Sequence, residues 1–438
     1  MDSSEALLAR FLHLHPRKID LSLGRTERLL AALDHPETRL PPVIHVAGTN
    51  GKGSTIAFMR AILEAAGLRA HVYTSPHLVR FVERIRLGAE GGGRLVDEAL
   101  LGDALEACEA ANAGAPITLF EIATAAALKL FSEHRADYLL LEVGLGGRYD
   151  ATNVIAHPAA SVIAPISIDH QEFLGATIEK IAFEKAGILK RGAPGVIAAQ
   201  DPIAQAVIER AAARAGARLV VENQDFFMRE EHGRLVYEDE RGLLDLPAPK
   251  LVGRHQHHNA ALAIAALRTV APDLAHGAFE QGLARADWPA RLQRLARGCV
   301  VDLAPHGAEI WLDGGHNEDG GRVLAQAMGE FEERAPRPLV LICGTLASKD
   351  TSGFLRAFRG LAQEVLAVPL SAEHQGRPAA DVAAAAAGVG IEAAACESVE
   401  AALRFLAARA WARPPRILIA GSLYLAGEVL ALNGTVPE

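Results

Sequence analysis

The sequence predicts an α/β protein of two unequal domains. The N-terminal domain is built on a mostly parallel sheet with a small antiparallel excursion; the C-terminal domain is a smaller α/β unit. Three observations predict this. Short apolar runs alternate with alanine-rich helical runs along nearly the whole chain, as a parallel sheet requires. One segment, FFMREEHGRLVYEDERGLLDLPAP, instead alternates polar and apolar residues around turn signals, as an antiparallel ribbon does. DWPARLQRL, with Pro289 beside Trp288, interrupts the pattern before a second series begins.

In order, the N-terminal strands are expected at VIHVAG, RAHVYTS, DYLLLEVG, ASVIAPIS, GVIAA and ARLVVE. The ribbon follows, then the helical run NAALAIAALRTV. The second series is GCVVDLA, AEIWLDGG, RPLVLICGT, EVLAVPL and RILIAGS, a Rossmann-like succession. Within it, AADVAAAAAGVGIEAAA reads as a plain surface helix, because alanine is the strongest helix former. The boundary is expected at residues 287–292, giving domains 1–287 and 293–438 without a low-complexity linker.

A chain of 438 residues is too long for one ordinary core, and its 50% hydrophobic content is ample for two. The net charge of −9 argues against nonspecific nucleic-acid binding but allows anionic small substrates in a local basic pocket. Cys108, Cys299, Cys343 and Cys396 are far apart, with neither metal-type spacing nor a disulfide framework. A reducing compartment, the cytoplasm, is expected. MDSSEALLARFLHLHPRK does not read as a signal peptide, and no apolar run is long enough to cross a membrane.

The chemistry begins at HVAGTNGKGST. It leaves an apolar run and opens the helical TIAFMRAILEAAG, which stops at Gly67. Strand, glycine loop and helix are the order of a phosphate cradle, a P-loop-type site. Backbone N–H groups approach the phosphate, the helix N-terminus adds its dipole and Lys52 adds a charge. The loop is a variant of G-x-x-x-x-G-K-[ST]: aligned on Lys52, the first glycine would fall at Val46, and Gly53 separates Lys52 from Ser54 and Thr55. A glycine turn without a ligand is the plainer reading; the strand, helix and lysine together weigh against it.

Other candidates sit at strand ends, where open α/β sheets collect ligands. Glu142 ends LLLEV and reads equally as a Mg²⁺ ligand or as a partner of Arg148. His170, after VIAPISID, could ligate a metal or orient a base, although a structural hydrogen bond is the commoner fate of a lone histidine. Ser75 could offer a hydroxyl to a metal or merely turn the chain before Pro76. Lys185 and Lys190, five apart, need not share a helix face, and either could be a solvated charge. HQHHN lacks cysteine partners and runs into a helix, so zinc is discounted. Asp313 and His316 follow a strand of the second domain. Two α/β domains closing on a nucleotide is the economical arrangement.

VAGTNGKGST, TSPHL, FEIATAAAL, LEVGLGGRYDATN, SIDHQEFLG, EKAGILK, GRHQHHNAALA, WPARLQ, LDGGHN and AGSLYLAGEV occur together and in order. The set resembles the folylpolyglutamate synthase family of the Mur ligase superfamily, in its bifunctional dihydrofolate synthase/folylpolyglutamate synthase form, over nearly the whole chain. The resemblance implies an ATP-dependent ligase that adds L-glutamate to dihydropteroate and to reduced folates through an acyl phosphate. It implies ATP and Mg²⁺, at one or two sites, and a monomer. Gly51, Lys52, Gly53, Ser54 and Thr55 would hold phosphates, with Asn259, Arg291 and Asp313 on the nucleotide. Ser75, Glu142, His170 and a carbamylated Lys185 would serve the metal, and Lys52, Glu142, His170 and Lys185 catalysis. Asp20, Leu21, Ser22, Leu23, Thr118, Leu119, Phe120, Glu121, Tyr149, Asp150 and Ala151 would contact the pterin. Ser22 and Gly24 depart from the usual DLGLER-like residues, and Tyr149 stands where leucine is common, so acceptor preference is the open point.

Two rivals stand beside this. A Mur-type ligase acting on a UDP-sugar substrate would carry an additional N-terminal domain, for which a loop starting at Gly48 leaves no room. A nucleotide-binding switch without synthetase activity would need the loop but not Lys185, Arg291 and Asp313 in register.

Overall fold

In the computed structural model, which describes residues 4–12, 14, 15 and 20–438, the alternation resolves into three sheets. Part of the N-terminal stretch read as lacking a signal peptide lies outside the described residues. The first sheet holds β1 (Val43–Ala47), β2 (Ala70–Tyr73), β3 (Ile85–Leu87), β4 (Arg94–Leu95), β5 (Tyr138–Glu142), β6 (Ala160–Ile163), β7 (Gly195–Ile197) and β8 (Leu219–Val221). Its order is β4-β3-β2-β5-β1-β6-β7-β8. The strands from β2 to β8 run parallel, and β3 and β4 form an antiparallel edge. The six apolar runs are β1, β2 and β5 to β8; β3 and β4 are too short and polar to read.

Every residue of β1 is buried, because helices cover both faces of the sheet. Ile44 and Val46 point toward the helices Lys52–Ala65, Arg254–Val270 and His276–Arg285. Val43 points toward Glu98–Asn112 and Leu119–Glu133, and Ala47 toward Ile178–Ala186 and Pro202–Ala215. The second sheet is the expected ribbon: β9 (Phe226–Glu231), β10 (Arg234–Asp239) and β11 (Gly242–Pro247), all antiparallel.

The third sheet contains β12 (Gln293–Leu295), β13 (Glu309–Leu312), β14 (Leu339–Cys343), β15 (Ala362–Ala367), β16 (Glu392–Ala395) and β17 (Arg416–Ala420), in the order β12-β13-β17-β14-β15-β16. All neighbours are parallel except β12, and apolar clusters cover both faces.

Two expectations are corrected here. GCVVDLA is not a strand: Cys299–Leu303 is a short helix. Gly298, at φ 106°, turns the chain, and the Asn433 side chain accepts the Val300 N–H at 3.1 Å. A short apolar run cannot tell strand from helix, and this cap decides it. The alanine-rich run is a helix only over Ala379–Gly388; Gly390, at φ 85°, ends it and EAAA pairs with β15 as β16. Pairing there overrides alanine's helix preference.

Candidate functional site

The site forms where β1 lies between β5 and β6, at the strands' carboxyl ends, facing the end of β13 across the domain interface. At such a switch point the connections leaving β1 and β5 run in opposite directions along the sheet and open a crevice.

The loop 48–51 is fastened from the side. The N–H groups of Thr49 and Asn50 donate to Pro165 O at 2.9 and 3.3 Å, and Thr49 Oγ1 donates to Ser167 O at 3.0 Å. Gly51 has φ 87°, and a Cβ there would overlap the Asn259 carboxamide, which brings Asn259 against the loop. Thr55 N–H is the first to bond back, to Gly51 O at 2.9 Å, so Lys52, Gly53 and Ser54 present unpaired N–H groups at the helix start. The Thr55 hydroxyl is buried without a partner.

Lys52 Nζ lies 3.7 Å from Glu142 Oε1 and donates to Thr49 O at 3.3 Å. Glu142 therefore faces the loop lysine and not Arg148, which stacks over the Tyr149 and Phe183 rings. Register explains this: Glu142 is paired with Val46 on β1, two residues before Gly48. Ser75 N–H donates to Glu142 Oε2 at 3.1 Å. Burial still raises the Glu142 pKa, against Lys52, the Ser75 N–H and Arg291.

Lys185, on Ile178–Ala186, is 5% exposed and donates to Gly48 O at 2.8 Å. Burial first, and Lys52 second, lower its pKa to about 7. Lys190 lies past the helix end, away from this cluster. His170, at φ 51°, lies 3.8 Å from Asp169 Oδ2, and burial lowers its pKa to about 3.

The second domain closes the crevice. Asp313, after β13, accepts Leu292 N–H and Gly315 N–H, both at 2.7 Å, which fixes the segment carrying Arg291. Burial raises its pKa against Arg291. Asp169 accepts from His316 Nε2 at 3.3 Å and Asn317 Nδ2 at 3.2 Å, and pairs with Lys349. Burial opposes its ionisation, yet these donors and charges hold its pKa far below the usual carboxylate range. Asn50 donates to Asp319 Oδ2 at 3.0 Å. Asn50, Asp169, Asn317 and Lys349 went unassigned in the sequence. Asn50, Asp169 and Asn317 lay inside quoted motifs; Lys349 carries no local signal.

The pterin candidates gather on the far side of the 144–147 turn. Thr118 and Glu121 form a capping box on Leu119–Glu133, and Arg25 links Glu121 to Asp20 at 2.9 and 3.0 Å. Leu21, Ser22 and Leu23 are half-buried beside them, ahead of the helix Gly24–Ala32. Leu119 and Phe120 open the capped helix, with Phe120 pressed on Gly144. Asp150 caps the turn that starts at Ala151; it accepts Leu145 N–H at 2.8 Å and the Thr152 hydroxyl at 2.5 Å. Tyr149 is exposed. His258, by contrast, faces Glu222 at 2.6 Å, and among the described residues no three His, Cys, Asp or Glu side chains gather as a metal cage.

Known proteins share this fold. The Mur ligase middle domain matches residues 46–267, and the Mur ligase glutamate ligase domain matches residues 294–423. The dihydrofolate synthase/folylpolyglutamate synthase of Bacillus subtilis is 39% identical over 70% of this chain and 71% of its own length. The structure of Escherichia coli FolC in complex with DHPP and ADP is similar at TM-score 0.87 and 30% identity, over 98% of this chain and 97% of that one. The bifunctional folylpolyglutamate synthase/dihydrofolate synthase of Yersinia pestis, complexed with AMPPNP and a Mn ion, is similar at TM-score 0.85 and 31% identity, over 98% of both chains.

Proposed function

The chain belongs to the dihydrofolate synthase/folylpolyglutamate synthase family of Mur-type ligases, and from that premise we propose that it joins L-glutamate to dihydropteroate and to the glutamate tail of reduced folates at the expense of ATP. The acceptor's carboxylate takes the γ-phosphoryl group of ATP, releasing ADP. The glutamate amine then attacks the acyl phosphate, loses a proton and displaces inorganic phosphate, leaving an amide.

The observation that carries this reading is the meeting of Lys52, Glu142 and Lys185 under an unpaired helix start, with Arg291 and Asp313 closing from the other domain. Lys52 and the N–H groups of Gly51, Gly53 and Ser54, with Thr55, hold phosphates whose charge grows on transfer. Asn259, Arg291 and Asp313 hold the rest of the nucleotide. The donor set fits a hard dication: a buried carboxylate and the Ser75 hydroxyl supply oxygen, nucleotide phosphates and water would complete the shell, and among the described residues no soft-metal cage competes. Mg²⁺ there would neutralise phosphate charge. Glu142, Ser75 and His170 would hold it, together with Lys185 as its carbamate. The neutral amine is the form that captures CO₂, and burial, by lowering the Lys185 pKa to about 7, opens that form near neutral pH. Asp20 to Leu23, Thr118 to Glu121 and Tyr149 to Ala151 form the pterin side.

With the domains divided at 287–292, both contribute residues to the site from one chain, which supports a working monomer. Among the described residues all four cysteines are free thiols, in keeping with the cytoplasm, and no helix is long and apolar enough to cross a membrane. A UDP-sugar Mur ligase is not favoured, since the matching relatives are folate ligases over most of their length.

The test is phosphate release from ATP and Mg²⁺ with L-glutamate plus dihydropteroate or tetrahydrofolate. Release that requires glutamate and occurs with both acceptors is expected, and Lys52→Ala in a folded protein should abolish it. No stimulation by either acceptor would defeat the reading.

A further inference from the structure

Lys185 is held from behind as well as at its tip. Its helix, Ile178–Ala186, ends one residue after it, and the last carbonyls of a helix have no partner within it. The turn 147–153 supplies donors from a distant part of the chain. Arg148 N–H donates to Glu184 O at 2.8 Å. Asn153 Nδ2 donates to Gly187 O at 3.3 Å and to Arg148 O at 2.9 Å, so one amide joins the helix end to the turn. The two main chains also touch. A Cβ on Gly147 would lie 2.8 and 3.0 Å from the Glu184 and Lys185 carbonyl oxygens, and one on Gly187 would overlap Arg148 Cα and Cβ. At the other end of the side chain, Lys185 Nζ reaches Gly48 O.

Asn153 is 5% exposed, and its Oδ1 is buried without a partner. The side chain therefore bonds through Nδ2 alone, and an idle buried carbonyl costs stability. The amide thus serves to place two main chains. The turn does not need it to keep its shape. Asp150 accepts the Leu145 N–H, the Thr152 N–H and the Thr152 hydroxyl, and Thr152 also bonds His45 on β1. What Asn153 adds is a hold on the helix end that carries Lys185.

Resting on the ligase reading above and on the part of Lys185 in it, we propose that Asn153 is a positioning residue for Lys185. By pinning the last turn of the helix, it fixes the point from which the Lys185 side chain reaches the loop 48–51. Rate falls steeply when a group at a reaction centre is misplaced by as little as about 1 Å. Binding of substrates gripped by other residues is far less sensitive to it, so the loss belongs in kcat.

The experiment compares steady-state phosphate release from ATP with L-glutamate and dihydropteroate for wild type, Asn153→Asp and Gly147→Ala, with chemical denaturation reporting the folded state. Asn153→Asp keeps the shape and replaces the two donors by oxygen facing two carbonyls. Gly147→Ala forces the same contact apart through other atoms, and it decides the matter if Asn153→Asp does not fold. Each should lower kcat about tenfold or more while KM for ATP and for dihydropteroate stays within about twofold. In Lys185→Ala supplied with acetate, Asn153→Asp should cost less than about twofold further, because the side chain it positions is gone. Wild-type kcat in the folded variants overturns the proposal. So does a raised KM for dihydropteroate with kcat unchanged, which would make Asn153 a support of the acceptor turn alone. An equal kcat loss with and without the Lys185 side chain also overturns it, since that is what a merely structural role gives. A wild type inert with every acceptor overturns the ligase reading itself.

Discussion

At the residue scale, burial decides which protonation states the site can use. Lys185 shows this most directly: its amine sits against Gly48 O beside Lys52, and both desolvation and that neighbouring cation favour the neutral form. Lys185→Ala should lose activity in the phosphate-release assay and regain part of it with short carboxylic acids, which can stand in for a carbamate. Full activity without added acid would remove the carbamate from the reading. His45, on β1 before the loop, is a second case. It is completely buried, Nε2 lies 2.8 Å from Thr152 Oγ1, and Nδ1 has no partner. Thr152 Oγ1 donates to Asp150, so its lone pair takes the His45 Nε2–H. Burial lowers the His45 pKa to about 3, from the usual 6.5 of a histidine. The folded state thus binds fewer protons than the unfolded one between those values. His45's contribution is intact above pH 6.5 and is lost as the pH falls toward 3. From pH 8 to pH 5 the loss is about 2 kcal/mol. His45→Asn should flatten that much of the urea-unfolding stability profile; an acid limb parallel to wild type would contradict it.

At the scale of elements, the helix Leu119–Glu133 ties folding to recognition. Its capping box pairs Thr118 N–H with Glu121 Oε2 at 2.8 Å and Glu121 N–H with Thr118 Oγ1 at 3.3 Å, while Arg25 binds Glu121 and Asp20 together. The residues read as pterin contacts are thus also the ones that start the helix. Thr118→Ala should cost about 1 kcal/mol in chemical denaturation. It should also raise KM for dihydropteroate more than it lowers kcat, because Glu121 loses its aim. A stability loss with unchanged KM would leave Thr118 a cap and nothing more.

At the scale of the molecule, function depends on how closely the two domains meet. The helix Leu423–Leu432 of the second domain presses Gly427 against Leu78 of the first, so tightly that a Cβ would overlap the Leu78 carbonyl oxygen. The obstacle is main chain, which cannot rotate aside. Asp169 and Asn50 add polar contacts to the same seam through His316, Asn317, Lys349 and Asp319. Gly427→Ala should destabilise the protein by about 1–3 kcal/mol, the usual cost of overpacking. It should raise KM for ATP and lower kcat, since Arg291 and Asp313 retreat from the loop, and solution scattering should show a larger radius. Wild-type kinetics and scattering would mean the interface absorbs the methyl group.

The sequence by itself determined what depends on local order. Strand, glycine loop and helix around Lys52 were legible because a cradle is built from consecutive residues, and β9 to β11 were legible because their alternation is local. Strand-end positions for Glu142 and Asp313 followed from apolar runs stopping at polar residues, whereas His170 lies beyond the end of β6, at the start of the helix Gln171–Leu174. The tertiary structure alone decided what depends on neighbours distant in the chain. Only strand register could choose Lys52 over Arg148 as the partner of Glu142, because a shift of one residue reverses a side chain's face. Only the Asn433 cap could make GCVVDLA a helix, and only pairing with β15 could make EAAA a strand. Lys349 and Asn153 became visible last, because a polar group acquires meaning from what surrounds it, and burial is a property of the assembled fold.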